Sequence, residues 1–291
     1  MLPTAAPATV PTAPAAQGPV PATPMSATPA PTTPADGRPA YVTSFAGTPA
    51  EVRAAQRLRY AVFAGELGAT LRTPLPGHDV DGFDDLADHL IVTETATGDV
   101  VGTYRLLPPG RTERSYAAAE FDLRALHGLR ARTVEAGRSC VHPDHRSGAV
   151  VNQMWAALAR YVTLSGHRYL AGCASVPLHD GGRAAADAWL LGSTRHASPP
   201  DLRVHPRRPW IPGPPDAAGP PPGDGAPGAD RAGGPSYARL PPLLRGYLRI
   251  GAWMCGAPAH DPEFGVADFF VLLDMERLND RYRRFFLGDS R

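Results

Sequence analysis

Proline is distributed so unevenly along this 291-residue chain that it limits which parts can fold. Residues 1–40 contain 11 of the 34 prolines, among Ala and Thr, and carry no charged side chain before Asp36. Such a segment cannot bury enough apolar surface to offset the entropy of ordering it, so we expect a disordered tail. The stretch 212–235, PGPPDAAGPPPGDGAPGADRAGGP, predicts a second disordered segment, inserted into a single domain over 41–291.

About 225 residues remain for that domain, enough for one hydrophobic core. The first residues lack the basic start and the continuous apolar stretch of a secretory signal. Apolar runs elsewhere are far shorter than the roughly 20 residues of a spanning helix. We therefore expect a cytoplasmic protein, for which any membrane association would be peripheral, at the inner face of the membrane.

All 29 basic side chains are arginine. The absence of lysine excludes a pyridoxal-phosphate Schiff base and a P-loop lysine. A formal net charge of +1 gives no argument for a nucleic-acid partner. Cys140, Cys173 and Cys255 are odd in number and form no C-x-x-C pair, which favours core positions over a disulfide or a zinc site.

Helices and strands are mixed along the predicted domain. TPAEVRAAQRLRYAVFAGELG carries a capping box of Thr48 and Glu51, with Pro49 at the first helical position and Gly68 at the end. HLIVTE and VVGTYRLLP, joined by a polar turn, predict a β-hairpin. Further strands are predicted in TVEAGRSCV, RYLAGCASV, DLRVHPRRPWIP and ADFFVLLD, and further helices in VVNQMWAALARYVTLSG, residues 182–192, LPPLLRGYLRIGA and MERLNDRYRRFFL. Hairpins followed by a strand-helix-strand crossover indicate an α+β, or mixed α/β, fold.

The predicted strand 133–141 carries Glu135 and Arg138 among small and apolar residues. A buried carboxylate must be paired or must line a cavity. Alternation places Glu135 on one face with Gly137 and Ser139, and Arg138 on the other. A bulge near Gly137 would allow a direct Glu135–Arg138 pair, so a structural ion pair and a functional acid both remain open.

The turn after this strand, HPDHRSGAVVN, leads into a predicted helix. Free backbone N–H groups at a helix start suit a phosphate, and Arg146 would add a direct charge. An ordinary helix cap explains the same pattern equally well.

Six blocks occur in an order that carries a family resemblance: LRYAVFAGELG, DVDGFDDLADHLIV, VVGTYRLL, EFDL, VEAGRSCVHPDHR and LPPLLRGYLRIGA. Over about residues 41–287 the chain resembles the GNAT superfamily of acyltransferases. Within it, the chain is similar to ornithine N-acyltransferases that use acyl-carrier-protein thioesters, and acyl-homoserine-lactone synthases share part of the pattern. The resemblance implies a GNAT fold: a central mixed sheet flanked by helices, with two splayed central strands that admit the acyl thioester.

The resemblance also implies a site. Glu135 is the expected base for the incoming amine, and Tyr247 is the expected proton donor to the departing thiolate. The implied substrate-binding residues are Arg59, Phe63, Asp81, Asp84, Arg105, Phe121 and Arg138. The implied contacts to the thioester arm and its phosphate are Ser139, Cys140, Val141, Arg146, Ser147, Gly148 and Ala149. In HRSGAV, His145 and Val150 depart from the superfamily's phosphate loop, which weakens the case for coenzyme A.

Each of these roles has a structural alternative. Asp81 and Asp84 either attract a diamino acid or belong to a solvated acidic turn. Phe83 occupies a position where an EF-hand loop needs a ligand, so a calcium loop is excluded and no metal is expected. Arg105 and Arg138 bind the acceptor's carboxylate or are buried partners of Asp84 and Glu135, and the two roles are compatible. Tyr247 is equally explained as a core tyrosine.

The leading interpretation is transfer of a (3-hydroxy)fatty acyl group from acyl carrier protein to the α-amino group of ornithine, a step of ornithine-lipid synthesis. No cofactor is expected to be bound permanently, and acyl-CoA is the alternative donor. Acyl carrier protein is acidic, so its expected docking face is an arginine rim of Arg146, Arg203, Arg207 and Arg208. The alternatives are another amine or amino-acid acceptor, a homoserine-lactone-like signal, an acetyl-CoA-dependent N-acetyltransferase, and an inactive thioester-binding module.

Overall fold

The computed structural model describes residues 40–146, 148–212, 235–278 and 280–287, and in the last range the side chains of 281–284. All of them belong to one unit of the chain. The predicted disordered tail and insertion lie outside the described residues, apart from the boundary positions 40, 212 and 235, and so does Ser147. No helix among the described residues combines the length and the apolar character that crossing a membrane requires.

The described residues form ten strands and five α-helices. The strands are β1 (Tyr41–Phe45), β2 (Asp88–Glu94), β3 (Val100–Leu107), β4 (Phe121–Asp122), β5 (Thr133–Val141), β6 (Tyr169–Pro177), β7 (His205–Pro206), β8 (Trp253–Met254), β9 (Ala259–Asp261) and β10 (Val266–Asp274). The helices are α1 (Pro49–Tyr60), α2 (Ala149–Leu164), α3 (Arg183–Arg195), α4 (Pro242–Arg249) and α5 (Asp280–Leu287). The main sheet has the order β1-β2-β3-β5-β6-β10-β8, with β9 also paired to β10, and β4 pairs with β7 separately.

The first helix begins as its sequence predicts. Thr48 Oγ1 accepts a hydrogen bond from Glu51 N at 3.3 Å, and Glu51 Oε2 accepts one from Thr48 N at 2.9 Å, which completes the capping box. After α1 the chain continues as a π-helix over Ala61–Glu66 and then reaches Gly68, whose φ of 71° is in the left-handed region that glycine tolerates. The predicted helix and the β2–β3 hairpin are therefore confirmed.

Two predicted elements differ from the structure. DLRVHPRRPWIP forms only the two-residue strand β7 and an isolated bridge from Pro209 to Ala259. Pro206 and Pro209 have no N–H group to donate to a ladder, which explains why this segment does not extend into a longer strand. The predicted closing helix begins as a 3₁₀ turn, Met275–Arg277, before α5.

The centre of the main sheet opens between β5 and β6. These parallel strands pair only from Thr133–Glu135 to Tyr169–Ala171, although each continues for six more residues. The two backbones are still in close contact at Gly172, where pairing has ended, since a Cβ added there would lie 2.1 Å from Ala136 O. All other strand pairs of the described ladders are antiparallel. The predicted mixed sheet with splayed central strands is confirmed.

Strand β5 also contains a bulge. Its register with β3 advances from Cys140 to Gly137 on β5 while β3 advances only from Thr103 to Arg105, so one extra residue is accommodated on β5. Arg138 adopts a φ of 52°, a conformation that is costly for a non-glycine residue. The bulge breaks the simple alternation of the strand and turns Arg138 away from the position that alternation predicts.

Candidate active site

A cavity of about 1110 Å³ occupies the opening between β5 and β6. Ala136–Ser139 of β5 line it on one side, and Cys173, Ser175 and Pro177 of β6 line it on the other. Among the predicted site residues, those that line the cavity are Phe63, Arg105, Glu135, Arg138 and Ser139. The other predicted site residues that are described lie outside this lining: Arg59, Asp81, Asp84, Phe121, Cys140, Val141, Arg146, Gly148, Ala149 and Tyr247.

Glu135 is the last β5 residue paired with β6, and it lines the cavity. Oε1 accepts a hydrogen bond from Ala117 N at 2.7 Å, and Oε2 accepts one from Tyr116 N at 3.0 Å. Burial raises the pKa of this carboxyl, and the two backbone donors together with a hydrogen bond from the Ser115 side chain partly offset that rise. Arg138 makes its ion pairs with Asp79 and Asp81 instead. The Glu135–Arg138 pair that the sequence left open is therefore not formed, and Glu135 retains lone pairs for a proton from the cavity.

Behind the cavity wall lies an alternating network of arginine and aspartate side chains. Arg59 is fully buried and contacts Asp79 Oδ2 at 2.8 Å and Asp84 Oδ1 at 2.9 Å. Burial opposes ionisation of Asp84, but the charges of Arg59 and Arg105 outweigh it and hold the pKa of that carboxyl below its usual value. Arg105 Nη1 also contacts Asp81 Oδ1 at 2.6 Å. These acids neutralise the arginines.

Arg105 and Arg138 reach the cavity from this network with aromatic support. The guanidinium of Arg138 lies 5.0 Å from the ring centre of Tyr116 and 5.9 Å from that of Phe63, and Arg105 lies 5.4 Å from Tyr116. Stacking against rings fixes the orientation of a guanidinium while leaving its N–H groups available. Phe121, by contrast, is fully buried against Phe270, 5.8 Å between ring centres, in a hydrophobic cluster outside the cavity lining.

Tyr247 is separated from the cavity by a second tyrosine. It is 5% exposed, packs edge-on against Trp155 and makes a hydroxyl–hydroxyl hydrogen bond with Tyr104. Tyr104 lines the cavity and is also hydrogen-bonded to Ser139. Burial raises the pKa of Tyr104 to about 12 and that of Tyr247 well above its usual value, so both stay protonated at neutral pH. Sequence reasoning missed Tyr104, because a tyrosine on a buried strand has no signal that separates it from the core.

The turn after β5 is held by a local ion pair. Both terminal nitrogens of Arg146 contact the Glu66 carboxylate, at 2.6 and 2.7 Å, and Arg146 Nε donates to Val141 O at 3.1 Å. Gly148, with φ of 92°, precedes α2, and Ala149 begins that helix. Cys140 is buried in a small hydrophobic cluster with Leu58.

Three carboxylates that the sequence analysis did not single out also line the cavity: Glu120, Asp261 and Asp268. One oxygen of each lies within 4.8 Å of the others. Burial together with the neighbouring acids raises the pKa of Glu120 to about 9 and that of Asp268 to about 6. Asp268 has the same sequence signal as Glu135, an acid within an apolar strand, ADFFVLLD. The sequence does not reveal the cluster, because Glu120 is far along the chain from Asp261 and Asp268, which lie on the paired strands β9 and β10.

A second cavity of about 460 Å³ borders the other side of Glu135. Its walls are mainly apolar and include Leu107, Leu123, Leu126, Phe270 and Leu272. A hydrocarbon chain is the kind of group that such walls accommodate.

Comparison with known proteins gives consistent results. Residues 58–156 match the acetyltransferase (GNAT) domain family. The L-ornithine N(alpha)-acyltransferase of Rhodobacter capsulatus is 35% identical over 251 residues, covering 81% of this chain and 90% of the relative. The enzyme of the same name from Brucella abortus is 33% identical over 255 residues, covering 82% and 86%.

Solved structures also resemble this chain. The CoA-dependent acyl-homoserine lactone synthase BjaI, in complex with SAM and isopentyl-CoA, has a TM-score of 0.48 at 19% identity, covering 83% of this chain and 85% of its own. The AHL synthase LasI has a TM-score of 0.49 at 13% identity, covering 87% and 100%.

Proposed function

Because the chain belongs to the GNAT-type acyltransferase family of the L-ornithine N(alpha)-acyltransferases, we propose that it transfers a (3-hydroxy)fatty acyl group to the α-amino group of ornithine. The proposed donor is a thioester of acyl carrier protein, and the product is the N-acylated amino acid from which an ornithine lipid is built. One observation carries the proposal: a carboxylate, Glu135, borders a cavity between parted central strands that is open to a thioester arm and an amine.

The proposed reaction begins with proton transfer from the acceptor's ammonium to Glu135, directly or through a water molecule. The neutral amine then forms a C–N bond to the thioester carbonyl, and the carbonyl oxygen becomes negatively charged. Backbone N–H groups at the β5 bulge, beside Arg138 and Ser139, are suited to stabilise that oxyanion. Collapse of the intermediate breaks the C–S bond and releases the thiolate, which takes a proton.

Tyr104 is the proposed source of that proton, because this residue lines the cavity and its hydroxyl stays protonated at neutral pH. Tyr247 donates to or accepts from Tyr104 behind it and is a positioning residue in this scheme. Arg105 and Arg138 are suited to bind the acceptor's carboxylate by paired hydrogen bonds. Their aspartate partners on the protein side keep both guanidinium groups oriented.

Different parts of the protein are proposed to bind the acyl chain of the donor and its carrier-protein end. The apolar cavity beside Glu135 suits the fatty acyl chain, since it adjoins the proposed base and has mainly apolar walls. Arg203, Arg207 and Arg208 are exposed and suit an acidic carrier protein. Arg146 and the start of α2 are the proposed contact for the phosphodiester of the phosphopantetheine arm.

The direct test incubates the purified protein with 3-hydroxyacyl carrier protein and a panel of amines, and follows amide product by mass spectrometry and free thiol by absorbance. We expect amide formation with ornithine. Turnover of acetyl-CoA or acyl-CoA without turnover of carrier-protein thioesters would show that the donor is wrong. Amide formation with other amines but not with ornithine would show that the acceptor is wrong.

A prediction about the leaving group follows from the two tyrosines. Tyr104→Phe should lower kcat with the natural thioester by about 10- to 100-fold, the low end for a general acid, because a thiolate leaves more readily than an alkoxide or an amide. The measurement compares this donor with a thioester of an acidic aromatic thiol, whose thiolate needs no proton. We expect the effect of Tyr104→Phe to shrink to a few-fold with that donor.

Tyr247→Phe is the matched comparison, since it removes the hydroxyl behind Tyr104 without opening the cavity wall. Its effect on kcat should be smaller than that of Tyr104→Phe and should show the same dependence on the leaving group. Equal losses with both donors would mean that the tyrosines act through packing alone.

A further inference from the structure

The carboxylates of Glu120, Asp261 and Asp268 converge on one wall of the active-site cavity. Glu120 precedes β4, Asp261 ends β9 and Asp268 lies within β10. One oxygen from each lies within 4.8 Å of the other two, which is close enough for all three to contact a single small cation. We call this group the acidic triad.

The protein itself satisfies the triad only in part. Asp268 Oδ1 accepts a hydrogen bond from Ser175 Oγ at 2.6 Å. Asp261 Oδ1 accepts backbone hydrogen bonds from Glu263 N at 2.8 Å and Phe264 N at 3.2 Å. Glu120 Oε2 is buried and has no hydrogen-bond partner among the described residues. A buried carboxylate oxygen without a donor is costly, so the site is suited to a ligand that brings donors.

The ion pairs of the two cavity arginines also favour a cationic ligand at the acidic triad. Arg105 pairs with Asp81 and Asp84, and Arg138 pairs with Asp79 and Asp81, so both guanidinium groups are already engaged outside the triad. The charge of Arg138 favours ionisation of Glu120 and Asp268, but burial and the neighbouring acids outweigh it, so the pKa of both carboxyls stays raised.

We propose that the acidic triad is the subsite that binds the side-chain ammonium of a diamino-acid acceptor, and that it gives the enzyme its preference for such acceptors over neutral amino acids. This inference rests on the proposed function. An alkylammonium has three N–H donors and no acceptor, which suits three converging carboxyl groups of which one, Glu120, has a buried oxygen without a hydrogen-bond partner among the described residues. The acceptor's carboxylate would then face Arg105 and Arg138, and its α-amino group would lie between the two charged ends, near Glu135.

Burial is the main reason why the pKa values of Glu120 and Asp268 are raised, and repulsion from the neighbouring acids adds to it. A bound ammonium would relieve that repulsion, and its binding would release a proton.

The test compares ornithine with norvaline, which has the same carbon chain but no side-chain ammonium. For the wild-type protein we expect kcat/KM to favour ornithine by about 10- to 100-fold, the value of a hydrogen-bonded charged group. Asp268→Asn and Glu120→Gln keep the shape of the side chains and should reduce that ratio to a few-fold, mainly through a higher KM for ornithine. Asp201→Asn is the matched control, because its carboxylate is exposed and outside the cavity lining, and it should leave the ratio unchanged.

Calorimetric binding of ornithine and norvaline without a donor separates the two hypotheses. Preferential ornithine binding that Asp268→Asn abolishes, without any acyl transfer, would support the subsite and overturn the proposed reaction. Acyl transfer to ornithine with an unchanged ornithine-to-norvaline ratio in both triad variants would overturn the subsite alone. If the ratio collapses in wild-type protein treated with EDTA and returns with Mg²⁺, the triad holds a metal ion and the ammonium assignment is wrong.

Discussion

Replacing Glu135 by Gln should lower kcat at neutral pH by a factor on the order of 100 to 10,000, the usual contribution of a general base. The amide still accepts a hydrogen bond at the place of Oε1 or Oε2, so the loop at Tyr116 and Ala117 keeps one of its two anchors. What is lost is a carboxylate that can take a proton from the acceptor's ammonium. Single-turnover rates with carrier-protein thioester and ornithine measure the chemical step directly.

The pH profile distinguishes a base from an anchor. In the wild type, burial raises the pKa of Glu135, and kcat/KM should fall as the pH drops through that raised value because the base becomes protonated. In Glu135→Gln the rate should instead rise with pH until the free amine predominates, so the gap between the two proteins should narrow in alkaline solution. A gap of constant size across this range, in a variant that unfolds like the wild type, would remove Glu135 from the role of base.

The sequence predicted the fold class and the position of Glu135 for one shared reason. Both depend on local patterns: capping signals, a hairpin turn, and an acid within an apolar strand. The opening between β5 and β6 is not encoded in such a pattern, because it depends on where two distant strands stop pairing. It entered the sequence analysis only through the family resemblance.

Pairing choices among charged groups were beyond the reach of the sequence. On an ideal strand, alternation places Arg138 on the face opposite Glu135. The bulge, at which Arg138 itself has a left-handed φ, instead directs its guanidinium to Asp79 and Asp81. Asp84 was expected to contact substrate or solvent, or to be a buried partner of Arg105 or Arg138, and it lies buried between Arg59 and Arg105. Spacing along the chain cannot say which of several acids a buried guanidinium will choose, since that choice is made by tertiary packing.

The roles of the predicted site residues stay predictions, but their positions now divide them into two groups. Phe63, Arg105, Glu135, Arg138 and Ser139 line the cavity and can touch a substrate. Arg59 and Asp84 lie behind them and can act only by holding the others in place. Substitution of such a supporting residue should lower the free energy of unfolding directly, and should change kcat or KM only indirectly.

Arg59→Met should therefore lower the free energy of unfolding by about 3–5 kcal/mol, the cost of removing one partner from a buried ion pair. Arg59 is fully buried, and its loss would remove the shortest ion pair of both Asp79 and Asp84, which would keep, among the described residues, only Arg138 and Arg105 as their cationic partners. Methionine fills much of the same volume, so the charge and its hydrogen bonds account for most of the expected effect. Urea denaturation at neutral pH, monitored by circular dichroism, gives the difference between variant and wild type.

Arg57→Met is the control on the same helix, since Arg57 is exposed, and it should change the free energy of unfolding by no more than about 0.5 kcal/mol.

The stability that Arg59 provides should depend on pH, with a sign set by the pKa of Asp84. Arg59 and Arg105 lower the pKa of Asp84, so the stability from this pairing is present above the ordinary pKa of an aspartate and is lost as the pH falls through the lowered value. The deficit of Arg59→Met should accordingly shrink toward acidic pH, as Asp84 in the variant becomes protonated. If Arg59→Met and Arg57→Met cost the same at neutral pH, the network does not stabilise the wall that carries Arg105 and Arg138.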